Sequence, residues 1–311
     1  MLSKKILVKI YASGMGDALL GTPAIRKLSY FYGQKRLSVK TRYPDLFRNS
    51  PYVDNVIKLD EDLDETDYEV FEMYKAHDRK HHACLSARSC AYDLGFDLTD
   101  DELSLDFFPD SQTIYDINKL NNYICLQTTS NWRNRTWSEE NWKKLISLLQ
   151  NTDLNIVLIG KDYEEIYFDG SVCKKRCFGM QGKNIINFTN DGSSIHDLWH
   201  LINNAKGIVT IDAGPLHIAG TTDTWIFQLG SARHPDLISP FRKGDQYYKH
   251  EYIGGECKAF CASNLKYTVK EWKTIKATHF LPECQENYTE IKCHPTAELV
   301  FNKIKEKLNL H

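Results

Sequence analysis

Short apolar runs of strand length alternate with amphipathic stretches along this chain. Runs at 5–11, 37–42, 55–58 and 69–73 predict strands, and helical spacing covers 17–32 and 79–93. The alternation restarts after residue 120, with strands at 123–127, 154–159, 207–211 and 224–229 and helices at 138–150 and 194–203. At the end, Leu299, Ile304 and Leu308 among lysines predict an amphipathic helix over 295–308. Such alternation belongs to parallel sheets with helical crossovers, so an α/β fold with two doubly wound halves is expected. No fixed-period repeat and no low-complexity tract interrupts it.

Length agrees with two units, because 311 residues exceed what one core usually serves. The polar stretch Pro109-Asp110-Ser111-Gln112 is the best linker candidate. The expected division is a first Rossmann-like domain over 1–115, a second over 120–294 and a closing helix over 295–311. Charge narrows the partners: 39 basic against 41 acidic residues leave a net −2, so nucleic acid is not an expected ligand. Met-Leu-Ser-Lys-Lys leads directly into a strand and no apolar segment is long enough to span a bilayer. The expectation is a cytoplasmic protein, for which peripheral membrane contact stays open. Nine cysteines without a leader peptide read as thiols or metal ligands rather than as a disulfide framework.

Two loops carry the candidate chemistry. Gly14-Met15-Gly16-Asp17 follows the first strand and opens a helix marked by Thr22-Pro23, so that glycines turn the backbone tightly beneath a carboxylate. Asp212-Ala213-Gly214-Pro215-Leu216-His217 follows the strand at 207–211 and opens another helix. There Gly214 and Pro215 are expected to leave the first amides open to an anion, with Asp212 as acceptor and His217 as donor. Each has a plainer alternative. Asp17 could serve a helix dipole, and Asp212 and His217 could be a cap and a structural histidine.

Gly16-Asp17-Ala18-Leu19-Leu20-Gly21-Thr22-Pro23-Ala24 resembles the amino-terminal signature of the lipopolysaccharide heptosyltransferases, inverting glycosyltransferases of the GT-B fold. Thr128-Thr129, then Arg135-Thr136-Trp137 and Ser138-Glu139-Glu140, is similar to that family's donor-phosphate loop and basic-x-Trp motif. Asp212 to His217 resembles its Asp-x-Gly-x-x-His segment, and Cys257, Cys261, Cys284 and Cys293 resemble a cysteine pattern near the end of many members. The resemblance implies two Rossmann-like domains facing a central cleft, with the acceptor on the first and the nucleotide sugar, an ADP-heptose, on the second. It implies transfer to a glycan or glycolipid acceptor of the lipopolysaccharide-core type, with Asp17 as general base and Gly14, Gly16 and Arg42 on the acceptor side. The donor diphosphate would meet Thr128, Thr129, Arg135, Gly214, Pro215 and His217, with no metal needed for transfer. Arg133 is a rival for Arg135, and Glu164 or Glu165 could hold the ribose or base, together with the loop from Thr189 to Ser194.

The four late cysteines could surround a structural zinc or iron, or be free thiols or a disulfide. Cys173 and Cys177 lack a matching second pair, and Cys84, Cys90 and Cys125 read as core or helix residues. The acidic run Asp60-Glu61-Asp62 is not placed like a metal–diphosphate clamp. The basic cluster from Lys75 to His82 could meet acidic groups of an acceptor or be a solvated face. Another nucleotide sugar, a protein acceptor as in autotransporter heptosylation, or a non-catalytic zinc module binding nucleic acid or protein are the alternative functions.

Overall fold

Two wholly parallel sheets organise the computed structural model, which describes residues 4–33, 37–74, 86–129, 135–160, 166–168, 171–173, 182–231, 233–242, 248–258 and 292–310. The first half runs β1 (Lys5–Ile10), α1 (Met15–Leu20), α2 (Thr22–Tyr32), β2 (Leu37–Thr41), β3 (Asn55–Lys58), β4 (Tyr68–Met73) and α3 (Ser86–Asp93). The second runs α4 (Ile117–Leu120), β5 (Tyr123–Gln127), α5 (Glu139–Leu149), β6 (Asn155–Ile159), β7 (Ile166–Phe168), β8 (Ser171–Cys173) and β9 (Ile185–Asn187). It continues with α6 (Ile195–Asn203), β10 (Gly207–Thr210), α7 (Gly214–Ala219), β11 (Trp225–Leu229), α8 (Pro235–Ile238), β12 (His250–Ile253) and α9 (Ala297–Leu308).

Strand order is β3-β2-β1-β4 in the first sheet and β12-β11-β10-β5-β6-β9 in the second. Register is set by apolar pairs such as Val8 opposite Val39 and Phe71, and Cys125 opposite Ile208 and Val157. All residues of β5 and β10 are buried, as expected of parallel strands covered on both faces. In each sheet the chain winds outward and then reverses, between β1 and β4 in the first and between β5 and β10 in the second. Ligands of open α/β sheets bind in the crevice beyond the carboxyl ends of the strands at such reversals. Both candidate loops begin there.

The structure adds to the sequence reading in several places. The helix expected over 17–32 is two helices that meet at Gly21. Pro23 has no N–H for the Leu19 carbonyl, and the Thr22 hydroxyl donates to it instead at 2.8 Å. The stretch expected as a linker is docked, since Asp110 N–H donates to His196 Nδ1 at 2.9 Å and its carbonyl lies 2.7 Å from His200 Nε2. The edge strands β9 and β12 were not expected, being three and four residues long and mostly only partly buried. Finally, α9 buries Ala297, Val300 and Ile304, whereas Leu299 is 40% exposed, so the buried face is rotated from the one predicted. That face packs on α5, whose Trp142, Leu145, Ile146 and Leu149 are buried at helical spacing. Of the helix expected over 79–93, residues 79–85 lie outside the described residues.

Candidate active site between the two sheets

Asp17 stands in the first turn of α1, directly beyond the carboxyl end of β1. Its carboxylate takes no hydrogen bond from a described side chain, and Gly14 caps the helix without a side chain of its own. A Cβ at Gly14 would lie 3.2 Å from Asp17 Oδ2, so glycine there keeps room around the carboxylate. Two tyrosines fix this loop from neighbouring strands. Tyr43 donates its hydroxyl to the Ser13 carbonyl at 2.7 Å, and Tyr74 donates to the Asp17 carbonyl at 2.9 Å. Tyr74 sits just past β4 with φ of +60°, a strained conformation for a side chain of this size, and its N–H donates to Asp93 at 3.0 Å.

Opposite, β10 leads through Asp212 into α7, and the two helix starts touch. A Cβ on Gly16 would fall 2.5 Å from His217 Cδ2, and one on Gly214 would fall 2.4 Å from Met15 Cε. Gly16 is therefore required for the contact between the halves, whereas at Gly214 the flexible end of Met15 could swing aside. At the start of α7, Pro215 has no N–H and the Leu216 N–H donates to the Ala213 carbonyl at 3.0 Å, with the Gly214 N–H at the tip.

Asp212 is buried and holds the charged centre of the site. Arg135 Nε lies 3.1 Å from its Oδ2, and Arg135 Nη1 donates to its backbone carbonyl at 3.1 Å. The arginine is largely buried, its side chain 15% exposed. It is placed by Trp137, two residues on, which donates to the Pro295 carbonyl at 2.8 Å and packs edge-on against Trp142. Arg233, from the loop after β11, brings a second guanidinium to within 3.7 Å of the same carboxylate oxygen. His217 is buried, and burial lowers its pKa, against the pull of Asp212 and Asp17 and with the help of Arg135 and Arg233. Its Nδ1 has no hydrogen-bond partner among the described residues. The imidazole is thus held neutral between two carboxylates, one from each half of the chain.

Thr128 and Thr129 are buried at the carboxyl end of β5. Between them and Asp212 stands Gln127, whose Oε1 accepts from Thr210 Oγ1 at 2.8 Å and from the Ile211 N–H at 3.3 Å. Its Nε2 donates to the Thr129 carbonyl, so one side chain ties the loops after β5 and β10 together. Gln127, Tyr43, Tyr74 and Arg233 were not singled out from sequence. Only Gln127 offers a signal, as the polar end of the otherwise apolar Tyr-Ile-Cys-Leu-Gln strand.

The remaining candidates are less gathered. Arg42 is exposed at the end of β2, and Asp60, Glu61 and Asp62 lie exposed after β3. Glu164, Glu165 and Arg133 lie outside the described residues, as do Cys84, Cys177 and the basic cluster 75–82. Cys90 and Cys125 are buried, as read from sequence. Cys257 and Cys293 are brought onto facing segments, with the Cys257 N–H donating to the Lys292 carbonyl at 3.0 Å and the Gly255 N–H to that of Cys293 at 2.8 Å. Cys261 and Cys284 lie outside the described residues, so two of the four proposed ligands are placed together. Among the described residues no three metal-ligating side chains cluster, and no helix is long and apolar enough to cross a membrane.

The model of glycosyltransferase family 9 (heptosyltransferase) matches residues 62–258, from ahead of β4 to beyond β12. The chain belongs to glycosyltransferase family 9. It is accordingly a glycosyltransferase, which sets aside the reading as a non-catalytic zinc module. The match takes in the Thr128, Arg135 and Asp212 segments but begins after Asp17. No curated protein matches the chain by sequence. Among solved structures, the iron-containing dodecameric heptosyltransferase TibC in complex with ADP-D-beta-D-heptose superposes with a TM-score of 0.70 at 14% identity, covering 99% of this chain and 76% of that one. The iron-containing dodecameric glycosyltransferase TibC from enterotoxigenic E. coli H10407 gives 0.67 at 15% identity over the same shares. A family 9 glycosyltransferase from Veillonella parvula DSM 2008 gives 0.67 at 14% identity over 99% and 98%. The E. coli ADP-heptose lipopolysaccharide heptosyltransferase II gives 0.59 at 15% identity over 88% and 99%. At these identities the likeness is one of fold, and the fold of this family 9 enzyme is GT-B.

Proposed function

We propose that this enzyme transfers heptose from ADP-heptose to an acceptor hydroxyl with inversion, using Asp17 as general base. The observation that carries the reading is the meeting of α1 and α7, which sets the Asp17 carboxylate of the first half against Asp212, His217 and Arg135 of the second. Heptose is the family's sugar, and the TibC complex holds an ADP-heptose. In this reading the acceptor lies on the β1–β4 side and the donor on the β5–β10 side, each at a sheet reversal.

The acceptor oxygen attacks the anomeric carbon from the face opposite the diphosphate while Asp17 takes its proton. The bond from that carbon to the diphosphate oxygen breaks, and the electron pair leaves with ADP. One displacement inverts the centre. Charge growing on the leaving oxygens meets the Arg135 guanidinium, the Gly214 amide and the hydroxyls of Thr128 and Thr129. His217, neutral and buried, serves as a hydrogen-bond donor to the same group. No step uses a metal. Cys257 and Cys293 suit a structural thiolate site, and TibC contains iron, so a zinc or iron there would order the end of the chain. A lipopolysaccharide-core glycan is the acceptor this reading favours, in the cytoplasm.

The test is a thermal-shift titration with ADP, UDP, GDP and CMP, followed by ADP-heptose turnover on glycan and protein acceptors. Preferential stabilisation by ADP and consumption of ADP-heptose is the expected result. A preference for UDP or GDP would overturn the sugar, and transfer to protein alone would overturn the acceptor.

A further inference from the structure

We infer that Arg233 is a donor-diphosphate ligand whose guanidinium moves from Asp212 onto the phosphates, while Arg135 stays to hold Asp212. This rests on the donor site proposed above and adds a residue that the sequence motifs did not supply. Two guanidiniums share one buried carboxylate oxygen, and they are held very differently. Arg135 reaches Asp212 through two nitrogens, each at 3.1 Å, with a side chain only 15% exposed. Arg233 reaches it through Nη1 alone at 3.7 Å, beyond hydrogen-bond length, with a side chain 36% exposed.

That asymmetry decides which cation moves. Arg233 is the more exposed cation and its contact exceeds hydrogen-bond distance, so it leaves the buried Asp212 at less cost than Arg135 would. Breaking the buried Arg135 pair would strand Asp212 without its partner, so Arg135 stays. The two cations also repel each other across Asp212, and each lowers the proton affinity of His217 between them. A diphosphate arriving at the carboxyl ends of β5 and β10 would relieve this repulsion by drawing Arg233 off Asp212. The Arg233 backbone is tied by its N–H to Ser231 Oγ at 3.2 Å, so the motion belongs to the side chain. A guanidinium gives a forked, charge-assisted contact to two phosphate oxygens, and it gains more from the larger negative charge of a diphosphate than from that of a monophosphate.

The experiment is isothermal titration of wild type, R233Q and R233K with ADP and with AMP, alongside thermal melts. R233Q is expected to weaken ADP by about tenfold or more, the loss of a charge-assisted contact, while AMP changes far less. R233K, which keeps the charge but not the fork, should fall between, and both variants should melt like wild type. ADP binding by R233Q at wild-type affinity would overturn the inference, as would equal weakening of ADP and AMP. Wild type that binds none of ADP, UDP and GDP would instead overturn the donor site itself, and this inference with it. If UDP or GDP is the diphosphate bound, the same variants decide the role of Arg233 with that nucleotide.

Discussion

Replacing Gly16 with alanine separates the structural account from local propensity by the sign of its effect. Gly16 lies in the first turn of α1, where alanine favours helix by up to about 1 kcal/mol and also restricts the unfolded chain. Local reasoning alone therefore predicts a more stable protein. In the structure the new Cβ would stand 2.5 Å from His217 Cδ2, 3.2 Å from His217 Nε2 and 3.5 Å from Gly214 Cα. Ordinary carbon contacts are about 3.5–4.0 Å, so α1 and α7 must separate by roughly 1 Å. Neither yields easily, because Tyr74 holds the Asp17 carbonyl and His217 is buried. Overpacking of this kind costs about 1–3 kcal/mol, which leaves a net loss on the order of 1 kcal/mol and a fall in Tm of about 1–2 °C. Shifting the catalytic groups by about 1 Å should lower kcat by about a hundredfold. Thermal melts and ADP-heptose turnover read both effects, and H217A in the same chain should restore the stability by removing the clashing ring. A G16A protein that melts higher than wild type and keeps its turnover would refute the packing of α1 against α7.

Q127L should lower stability by roughly 1–3 kcal/mol, since it removes the acceptor of the buried Ile211 N–H and a donor to the Thr129 carbonyl, and should raise the donor KM more than it lowers kcat. Denaturant melts and initial rates check this, and an unchanged KM would detach Gln127 from the donor loops. Burial, with Arg242 nearby, pushes the His250 pKa down to about 4, and its Nε2 lies 2.8 Å from Gln228 Oε1. The unfolded histidine takes a proton near pH ~6.5, so the stabilisation is present above that pH and is lost as pH falls towards 4, at up to about 1.4 kcal/mol per unit. H250Q should flatten this part of the stability curve, leaving a smaller slope from the buried His196 and His217, whose pKa values are also lowered; an unaltered slope would exclude His250 as its source.

The buried strands were legible because parallel strands covered on both faces are almost purely apolar: β1, β5, β6, β10 and β11 fall within one residue of their predicted ends. The edge strands β9 and β12 were not, being three and four residues long with only Ile253 fully buried, although the edges β3 and β4 of the first sheet were. The rotated face of α9 shows the same limit. Leu299 is larger than Ala297 and Val300 and dominated the periodicity, but the groove against α5 accepts the smaller pair. At the site, Asp17, Asp212 and His217 could be named from their loops, because glycine and proline mark where strands give way to helices. Their joining across the two halves could not, and neither could Gln127, Tyr74 or Arg233, whose roles arise from contacts between loops distant in sequence.

The most direct test of the account compares ADP-heptose turnover by wild type and by D17N, together with the affinity of each for ADP. The account predicts that turnover falls by about 10²–10⁴-fold, the usual worth of a general base, while ADP affinity stays the same. Turnover by D17N at the wild-type rate would contradict the assignment of Asp17 as the base.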